Sequence, residues 1–517
     1  MKRPNYLKGL RVLLAILFFV PILFFFVDFR ALMPVSTHTL LHLQIVPAIL
    51  SGMVGILLVQ LVLALVFGRI YCSVICPAGV FQDIINRLFC IGKKKKKGPR
   101  RFAYRKPMNY LRYILLGLIT VLALFGSIEL LMALDPYSNF GRMAANLFRP
   151  AVVWINNGLA DILARADNYT LFHVTLTTVT TAGLIGGTIA LLVFIVMVVT
   201  RGRLFCNTLC PVGGLLSLVS RYSFFRVSID QEKCISCGLC EQSCKAEAID
   251  VKALTVDNSR CVDCFNCISS CKKDSIHYRF QLPGRKEAKE SKEDLSSQSR
   301  RQFIATGATI AATLPVVSAV ARATGTAQTA KTAPVTPPGS ISLERFKDKC
   351  TGCHLCVVHC PSQVLYPAGL QFGLGYALKP HMAYIDSYCN YECTVCAEVC
   401  PNKAIELTSV DDKMTTQVGI AEFFLERCIV ETENTDCGAC SEHCPTQAVH
   451  MELYKEGSTL TVPVVEPELC VGCGGCESIC PVRPERAIII KSNIVHQRVE
   501  KPAEEEVLEI EIDDFGF

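Results

Sequence analysis

The residues best placed to do chemistry in this chain are its cysteines, 29 among 517 residues. Two runs, KCISCGLCEQSC at 233–244 and RCVDCFNCISSC at 260–271, share the spacing C-x2-C-x2-C-x3-C. This is the bacterial ferredoxin spacing, in which three close thiolates hold one [4Fe–4S] cluster and the fourth crosses to its mate. The crossing predicts Cys234, Cys237, Cys240 and Cys271 on one cluster, with Cys261, Cys264, Cys267 and Cys244 on the other. Zinc competes for such thiolates, but zinc sites rarely show the third closely spaced step. Lys245 and Lys272 stand where proline usually follows the fourth cysteine, which alters the local turn but removes no ligand. The odd cysteine total and the spacing argue against a disulfide framework.

Four more quartets lie near the C-terminus: Cys350, Cys353, Cys356, Cys360; Cys389, Cys393, Cys396, Cys400; Cys428, Cys437, Cys440, Cys444; and Cys470, Cys473, Cys476, Cys480. Each ends in Cys-Pro. The second opens with C-x3-C and the third with C-x8-C, so each carries an insertion between ligands. The spacing leaves open whether neighbours pair, or the first pairs with the fourth and the second with the third. Either way all sixteen are expected ligands, and six quartets call for six [4Fe–4S] clusters. CTGCH at 350–354 also matches the C-x-x-C-H of covalent haem attachment. It continues as CHLCVVHCP, however, and a haem there would strip a cluster of two ligands.

A third arrangement is a repeat. GRIYCSVICPAG at 68–79 and GRLFCNTLCPVG at 202–213 share Gly, Arg, both Cys, Pro and the final Gly in register. Equivalent positions on two neighbouring hairpins would let Cys72, Cys76, Cys206 and Cys210 converge on one metal or cluster. C-x3-C is less diagnostic than C-x2-C, and redox-active or structural thiols are the alternative. Cys90 stands alone and reads as a packed thiol.

The elements that must position these residues follow from hydropathy. The hydrophobic fraction is 51%, and apolar runs crowd the first 200 residues. Four of them, at 12–29, 46–67, 113–134 and 182–200, approach the roughly 20 residues that cross a bilayer core. Each C-x3-C-P copy follows the second helix of a pair. The segment between the second and third runs is rich in Lys and Arg, including the five lysines at 93–97, whereas 135–171 has only Arg142, Arg149 and Arg165. Lys and Arg stay on the cytoplasmic side, so both ends of the four-span unit are expected inside. The lysine run reads as a solvated anchor near anionic lipid. The net charge of +6 is modest and gives no reason to expect nucleic acid. The expected fold is a four-helix transmembrane unit with α+β bacterial-type ferredoxin domains, a two-cluster one and a larger four-cluster one.

The expected organisation is a membrane unit at 1–228, a two-cluster domain at 229–280, a polar linker at 281–298, a signal-like segment at 299–323, a Pro/Thr/Ala tether at 324–340, a four-cluster domain at 341–497 and an acidic tail at 498–517. The signal-like segment, SRRQFIATGATIAATLPVVSAVARA, pairs Arg300 and Arg301 with a mildly apolar run closing in Ala-x-Ala. Sixteen free thiols threaded unfolded into an oxidising compartment would be prone to form disulfides. Export of a folded, cluster-loaded domain therefore needs the twin-arginine route, which reads an Arg-Arg address. The two-cluster domain is expected in the cytoplasm and the four-cluster domain in the periplasm.

On these motifs residues 1–280 resemble the NapH type of membrane ferredoxin and residues 299–497 the NapG type, fused in that order; the MauN/MauM pair of methylamine utilisation has a similar layout. The resemblance implies a quinol dehydrogenase of the bacterial inner membrane that passes electrons from menaquinol or ubiquinol to a periplasmic reductase or cytochrome, with a nitrate reductase as the typical partner. Ionisable groups at membrane depth are often functional, which makes Glu129, His38, His42 and His173 candidates for the quinol site. No sequence pattern names a carrier across the roughly 30 Å between cytoplasmic and exported clusters. The alternatives are an assembly or maintenance factor for a periplasmic metalloenzyme and a redox sensor. The acidic tail reads as a frayed end or edge strand, or as a surface that steers a basic partner.

Overall fold

A computed structural model describes residues 5–30, 32–91, 102–281, 333–455 and 457–501. The lysine run, the linker at 282–298, the twin-arginine segment, most of the tether, the tail from 502 and the Cys90 side chain lie outside the described residues.

The N-terminal part is a bundle of helices. Helix α1 (Tyr6–Val27) begins at Asn5, whose side chain accepts the Lys8 N–H at 3.0 Å; its 22 residues rise about 33 Å. Two helices, α1 and the later Thr181–Arg201, are long and apolar enough to cross a membrane. The other two apolar runs differ from the continuous spans expected. The first divides into α2 (Ile45–Leu50) and α3 (Val54–Phe67), the second into α6 (Asn109–Leu124) and α7 (Glu129–Leu134). Gly52 (φ 73°) and Gly126 (φ 74°) sit at the breaks in the left-handed region that ends helices. Leu13, Leu58 and Ile189 are each more than half exposed, so the long helices present apolar faces outward.

The motif GRIYC-x3-CP builds a fixed local shape. A single turn, α4 (Tyr71–Val74), carries the first cysteine, and α5 (Pro77–Ile91) starts just after the second. The other copy repeats this with α11 (Leu204–Thr208) and α12 (Pro211–Ser220), after α10 (Thr181–Arg201). Proline suits the first helical position because its missing N–H would be unpaired there anyway.

Residues 135–171, expected as an outer loop, instead turn back into the bundle. Asp135 caps α8 (Pro136–Met143), accepting the Ser138 N–H at 2.8 Å, and a π-helical turn then leads into α9 (Arg149–Ala164). All of α8 is buried; its Phe140 ring lies 5.5 Å from Phe19 of α1 and 6.0 Å from Phe81 of α5.

The two-cluster domain pairs β1 (Phe225–Ile229) antiparallel with β4 (Ile276–Phe280) around the small hairpin of β2 (Ile249–Asp250) and β3 (Thr255–Val256). The C-terminal domain holds three antiparallel pairs: β5 (Leu365–Pro367) with β6 (Pro380–Met382), β7 (Thr416–Phe423) with β10 (Ile488–Arg498), and β8 (Val449–Leu453) with β9 (Thr461–Val465). Residues 333–340, expected as tether, belong to this domain: Thr336 and Ser340 are fully buried, and Ser492 Oγ donates to the Pro334 carbonyl at 2.9 Å.

The two domains occupy opposite ends of the bundle. At the start of α1, Asn5 Nδ2 donates to Phe265 O of the two-cluster domain at 3.0 Å, and near its end Phe25 O accepts from His359 Nε2 of the four-cluster domain at 2.8 Å. Helix α10 repeats the arrangement: after its last residue Arg203 N donates to Lys245 O, while Gly186 in its second turn packs against Leu378.

Candidate iron–sulfur and thiolate centres

The fold brings the predicted ligands together across sequence quartets. Cys244 lies beside Cys261, Cys264 and Cys267, and these four line an apolar cavity of about 360 Å³ with Val227, Ile249 and Phe265. Cys234 and Cys237 flank Cys240, while Cys271 Sγ accepts the Ser275 N–H at 3.3 Å. The question left open for the C-terminal quartets has a geometric answer, because neighbours exchange their fourth cysteines. Cys400 sits beside Cys350, Cys353 and Cys356, and Cys360 beside Cys389, Cys393 and Cys396. Cys480 joins Cys428, Cys437 and Cys440 around a cavity of about 370 Å³, and Cys444 joins Cys470, Cys473 and Cys476. The two pairs meet where Cys389 N donates to Cys473 O at 2.9 Å.

These cavities fit the group that the spacing implies. Each is largely apolar and lined by four cysteines from two chain segments, whereas no three Cys, His, Asp or Glu among the described residues gather closely enough for a single metal ion. Both ring nitrogens of His354 are occupied, Nδ1 by Asn146 Nδ2 and Nε2 by the Leu378 carbonyl, each at 2.8 Å. Burial lowers this imidazole to about 4, so it is a neutral hydrogen-bonding strut with no nitrogen left for haem iron.

The four thiols of the repeat, Cys72, Cys76, Cys206 and Cys210, are all buried and form one group of neighbours. Their surroundings are reciprocal. Arg69 Nη2 lies 3.8 Å from Cys72 Sγ and 2.9 Å from Cys206 O; Arg203 Nη1 lies 3.9 Å from Cys206 Sγ and 2.9 Å from Cys72 O. Each arginine thus crosses to the other copy. The glycines closing the motifs allow this, since a Cβ on Gly79 or Gly213 would fall 2.0 Å from the carbonyl of Cys72 or Cys206. At the second cysteines the start of the helix offers N–H groups, and Cys210 Sγ accepts from Gly213 N at 3.3 Å.

Buried charge surrounds this site. Arg69 and Arg203 are 0% and 1% exposed, and a buried cation needs an anionic partner. Arg203 has Asp83, which also pairs with Arg11 and Lys245. The hydrogen bonds of the Arg69 side chain go to Asn207 Oδ1, Ser259 O and Cys206 O, and the buried Asp263 carboxyl lies nearby. Thiolates at these four positions would add negative charge facing both arginines, and Gln82 Nε2 adds a donor 3.2 Å from Cys206 Sγ. Arg203 also neighbours Cys264, which places this site next to the inner quartets. On the opposite side Tyr71 neighbours Cys76 and Asp135, and Tyr137 neighbours Asp135, Cys353 and Cys400. The inward turn of α8 therefore sets buried side chains between the four-thiol site and the four-cluster domain.

The residues expected at a quinol site are distributed unevenly. His38 and His42 share one short helical segment, Val35–Leu43, at the seat of the four-cluster domain. His38 stacks on Phe25 at 4.6 Å and meets His359, the Nε2 atoms 3.4 Å apart. His42 lies against the backbone at Pro401, and burial pushes its imidazole below the ordinary value. Glu129 reaches the same seat beside Ser127, Lys379 and Asp348, with Oε1 buried and unpaired. His173 stands apart, exposed in a 2.7 Å ion pair with Asp161.

Arg69, Arg203, Gly79 and Gly213 were missed as functional residues, although their identity across the two repeat copies was the signal. Asp83 and Gln82 carried none, since Ser217 and Leu216 occupy the equivalent positions.

Comparison with known proteins agrees with this geometry. Residues 46–99 and 182–229, which contain the two C-x3-C-P copies, match a 4Fe-4S binding domain family; 227–250 and 344–366 match a second 4Fe-4S binding domain, and 435–483 a 4Fe-4S dicluster domain. These matches give the chain several 4Fe-4S ferredoxin-type domains and support iron–sulfur electron transport. The chain is 31% identical over 209 residues to the methylamine utilization ferredoxin-type protein MauN of Paracoccus denitrificans, covering 40% of this chain and 59% of that one. It is 31% identical over 153 residues to the ferredoxin-type protein NapG of Escherichia coli, covering 28% and 64%. It is also 27% identical over 192 residues to the methylamine utilization ferredoxin-type protein MauM of Methylorubrum extorquens, covering 36% and 85%. The matches thus span a little over half the length of MauN and just under two thirds of NapG. No solved structure matches.

Proposed function

We propose that this chain is a quinol dehydrogenase of a bacterial cytoplasmic membrane, with four spans, six [4Fe–4S] clusters and a further centre on Cys72, Cys76, Cys206 and Cys210. In this reading it passes electrons from menaquinol or ubiquinol to a periplasmic reductase or cytochrome, with a nitrate-reductase type of enzyme as the partner class. One observation carries the reading: two ferredoxin domains sit at opposite ends of one helical bundle, with four buried thiols and a chain of buried side chains between them. When bound, such clusters supply one-electron transfer over a wide range of potentials. The protein's residues do the rest. Quinol loses two electrons and two protons, and the electrons must leave singly. His38, His42 and Glu129 each contact the four-cluster domain, at separate points, where they can take up the protons; the unpaired Oε1 of Glu129 is an open acceptor. Arg69 and Arg203 hold the four-thiol site in register and balance its charge.

Purified protein in liposomes should have its iron–sulfur signals bleached by a quinol, more slowly after Glu129→Gln. Reduction by an NADH-linked donor or a cytoplasmic ferredoxin, but by no quinol, overturns the reading. Replacing Arg300 and Arg301 by Lys should leave the helical unit in the membrane and strand the four-cluster domain inside, as protease added to spheroplasts would reveal.

A further inference from the structure

A narrow cleft opens where α6 begins and α10 ends, between the helical unit and the two-cluster domain. Five cations line it, Lys106, Arg112, Arg201, Arg203 and Arg260, against one carboxylate, Glu247. Three of these cations, Arg203, Arg112 and Arg260, are built in rather than solvated. Arg112 is 2% and Arg260 4% exposed. Arg112 spends Nε on Asn207 O at 2.7 Å, and Arg260 spends Nε on Asp257 and Nη1 on Arg105 O. In both, Nη2 is buried with no hydrogen-bond partner. Arg203 and Arg260 have their own carboxylates, Asp83 and Asp257, which leaves Lys106, Arg112 and Arg201 in excess over Glu247. A buried guanidinium with an unused donor is costly unless an acceptor arrives. A planar fork of this kind matches the oxygens of phosphate.

We infer that this cleft binds a phosphate-bearing anion, and that its source is the headgroup of an anionic phospholipid. The choice of source rests on the membrane-spanning reading. Arg112 lies in the first turn of α6 and Arg201 closes α10, so the cleft sits where two apolar helices leave the bilayer, at headgroup height. Basic pockets between helices on the cytoplasmic side take such headgroups. Met108 and Leu204 complete the lining with apolar atoms, and Tyr110 and Leu111 beside them are nearly half exposed on the face where an acyl chain would run.

The full cluster-loaded protein, placed in nanodiscs of phosphatidylcholine with or without phosphatidylglycerol and then washed with detergent, should retain phosphatidylglycerol in preference to phosphatidylcholine by mass spectrometry. The rim variant Lys106→Gln with Arg201→Gln should weaken retention about fivefold for each cation removed. Replacing the lysines at 93–97 by Gln should leave it unchanged, which separates the cleft from general attraction to the surface. Saturable binding of inorganic phosphate, lost in the same rim variant, with no lipid preference would keep the site and change its source. Equal retention of both lipids together with no phosphate binding, or a rim variant that behaves as the parent, overturns the inference. None of these readouts involves quinol turnover, so the site and the dehydrogenase reading can fail separately.

Discussion

At the Asn5 end of α1 the two-cluster domain is held largely by charge, whereas at the Val27 end the four-cluster domain is held by packing and neutral hydrogen bonds. The inner contact uses Arg69 and Arg112 on the Ser259 carbonyl and Lys245 on Asp83. Of that domain's buried apolar residues only Val262 joins the main core; Val227, Ile229, Ile249 and Ile276 form a core of their own. The outer domain shares one continuous core with the bundle, running from Phe19 and Phe140 to Leu355 and Val358. Its hydrogen bonds to the bundle join uncharged groups, such as Ser138 Oγ to Thr351 Oγ1 at 2.8 Å, with Glu129 beside Lys379 as a charged contact. The difference suits the chemistry. Buried cations at the inner end serve the four-thiol site as well as the contact, while close packing at the outer end brings Cys353 within reach of α8.

The strongest way to break the inner side is Arg203→Met. Asp83 and the four thiols lose a fully buried cation, a loss of about 3–5 kcal/mol, and Arg69→Met should act alike because the two are reciprocal. Matched spectroscopic losses from Cys72→Ser and Cys206→Ser would show one shared centre; different losses would show two separate ones. On the outer side Gly141→Val attacks packing, since a Cβ there would lie 2.5 Å from Cys353 O and 2.9 Å from Phe26. A destabilisation of about 3 kcal/mol or less is expected, seen as faster proteolysis of the outer domain with the inner one untouched.

Acid should also separate the two sides. Burial lowers His381 and His496 of the outer domain to about 4, so they fold neutral while the unfolded chain takes up protons below about 6.5. Stability conferred by them is full above that pH and falls as pH drops from about 6.5 toward 4, by on the order of 1–2 kcal/mol each. The melting temperature of the outer domain should follow, with a shallower slope in His496→Asn. The smallest effect is expected from Asn5→Ala, which removes a helix cap and the Phe265 contact for about 1 kcal/mol.

Much of this was legible because the chemistry fixes residue type and spacing together. The bacterial ferredoxin spacing in 233–271 assigns Cys244 to the set of Cys261, Cys264 and Cys267, and these four line one cavity. Pairing among the last four quartets was not legible, since it depends on how β-hairpins stack rather than on local spacing. Nor was the course of 135–164: a polar-looking PYSNFGRM gave no sign that all of it would be buried, because Asp135, Asn139 and Arg142 spend their polar groups on nearby backbone. The helix breaks at Gly52 and Gly126 were hidden by unbroken hydropathy on either side.

The crossed arginines carry a consequence for ancestry. Because Arg69 completes the second cysteine motif and Arg203 the first, neither hairpin makes a whole site alone, and two copies of a single hairpin related by a twofold axis would have made the same site. Joining them in one chain released each copy from having to serve both roles. Two copies free to differ let one half carry Asp83 and Gln82 while the other carries Ser217 and Leu216, giving a symmetric frame two unlike halves.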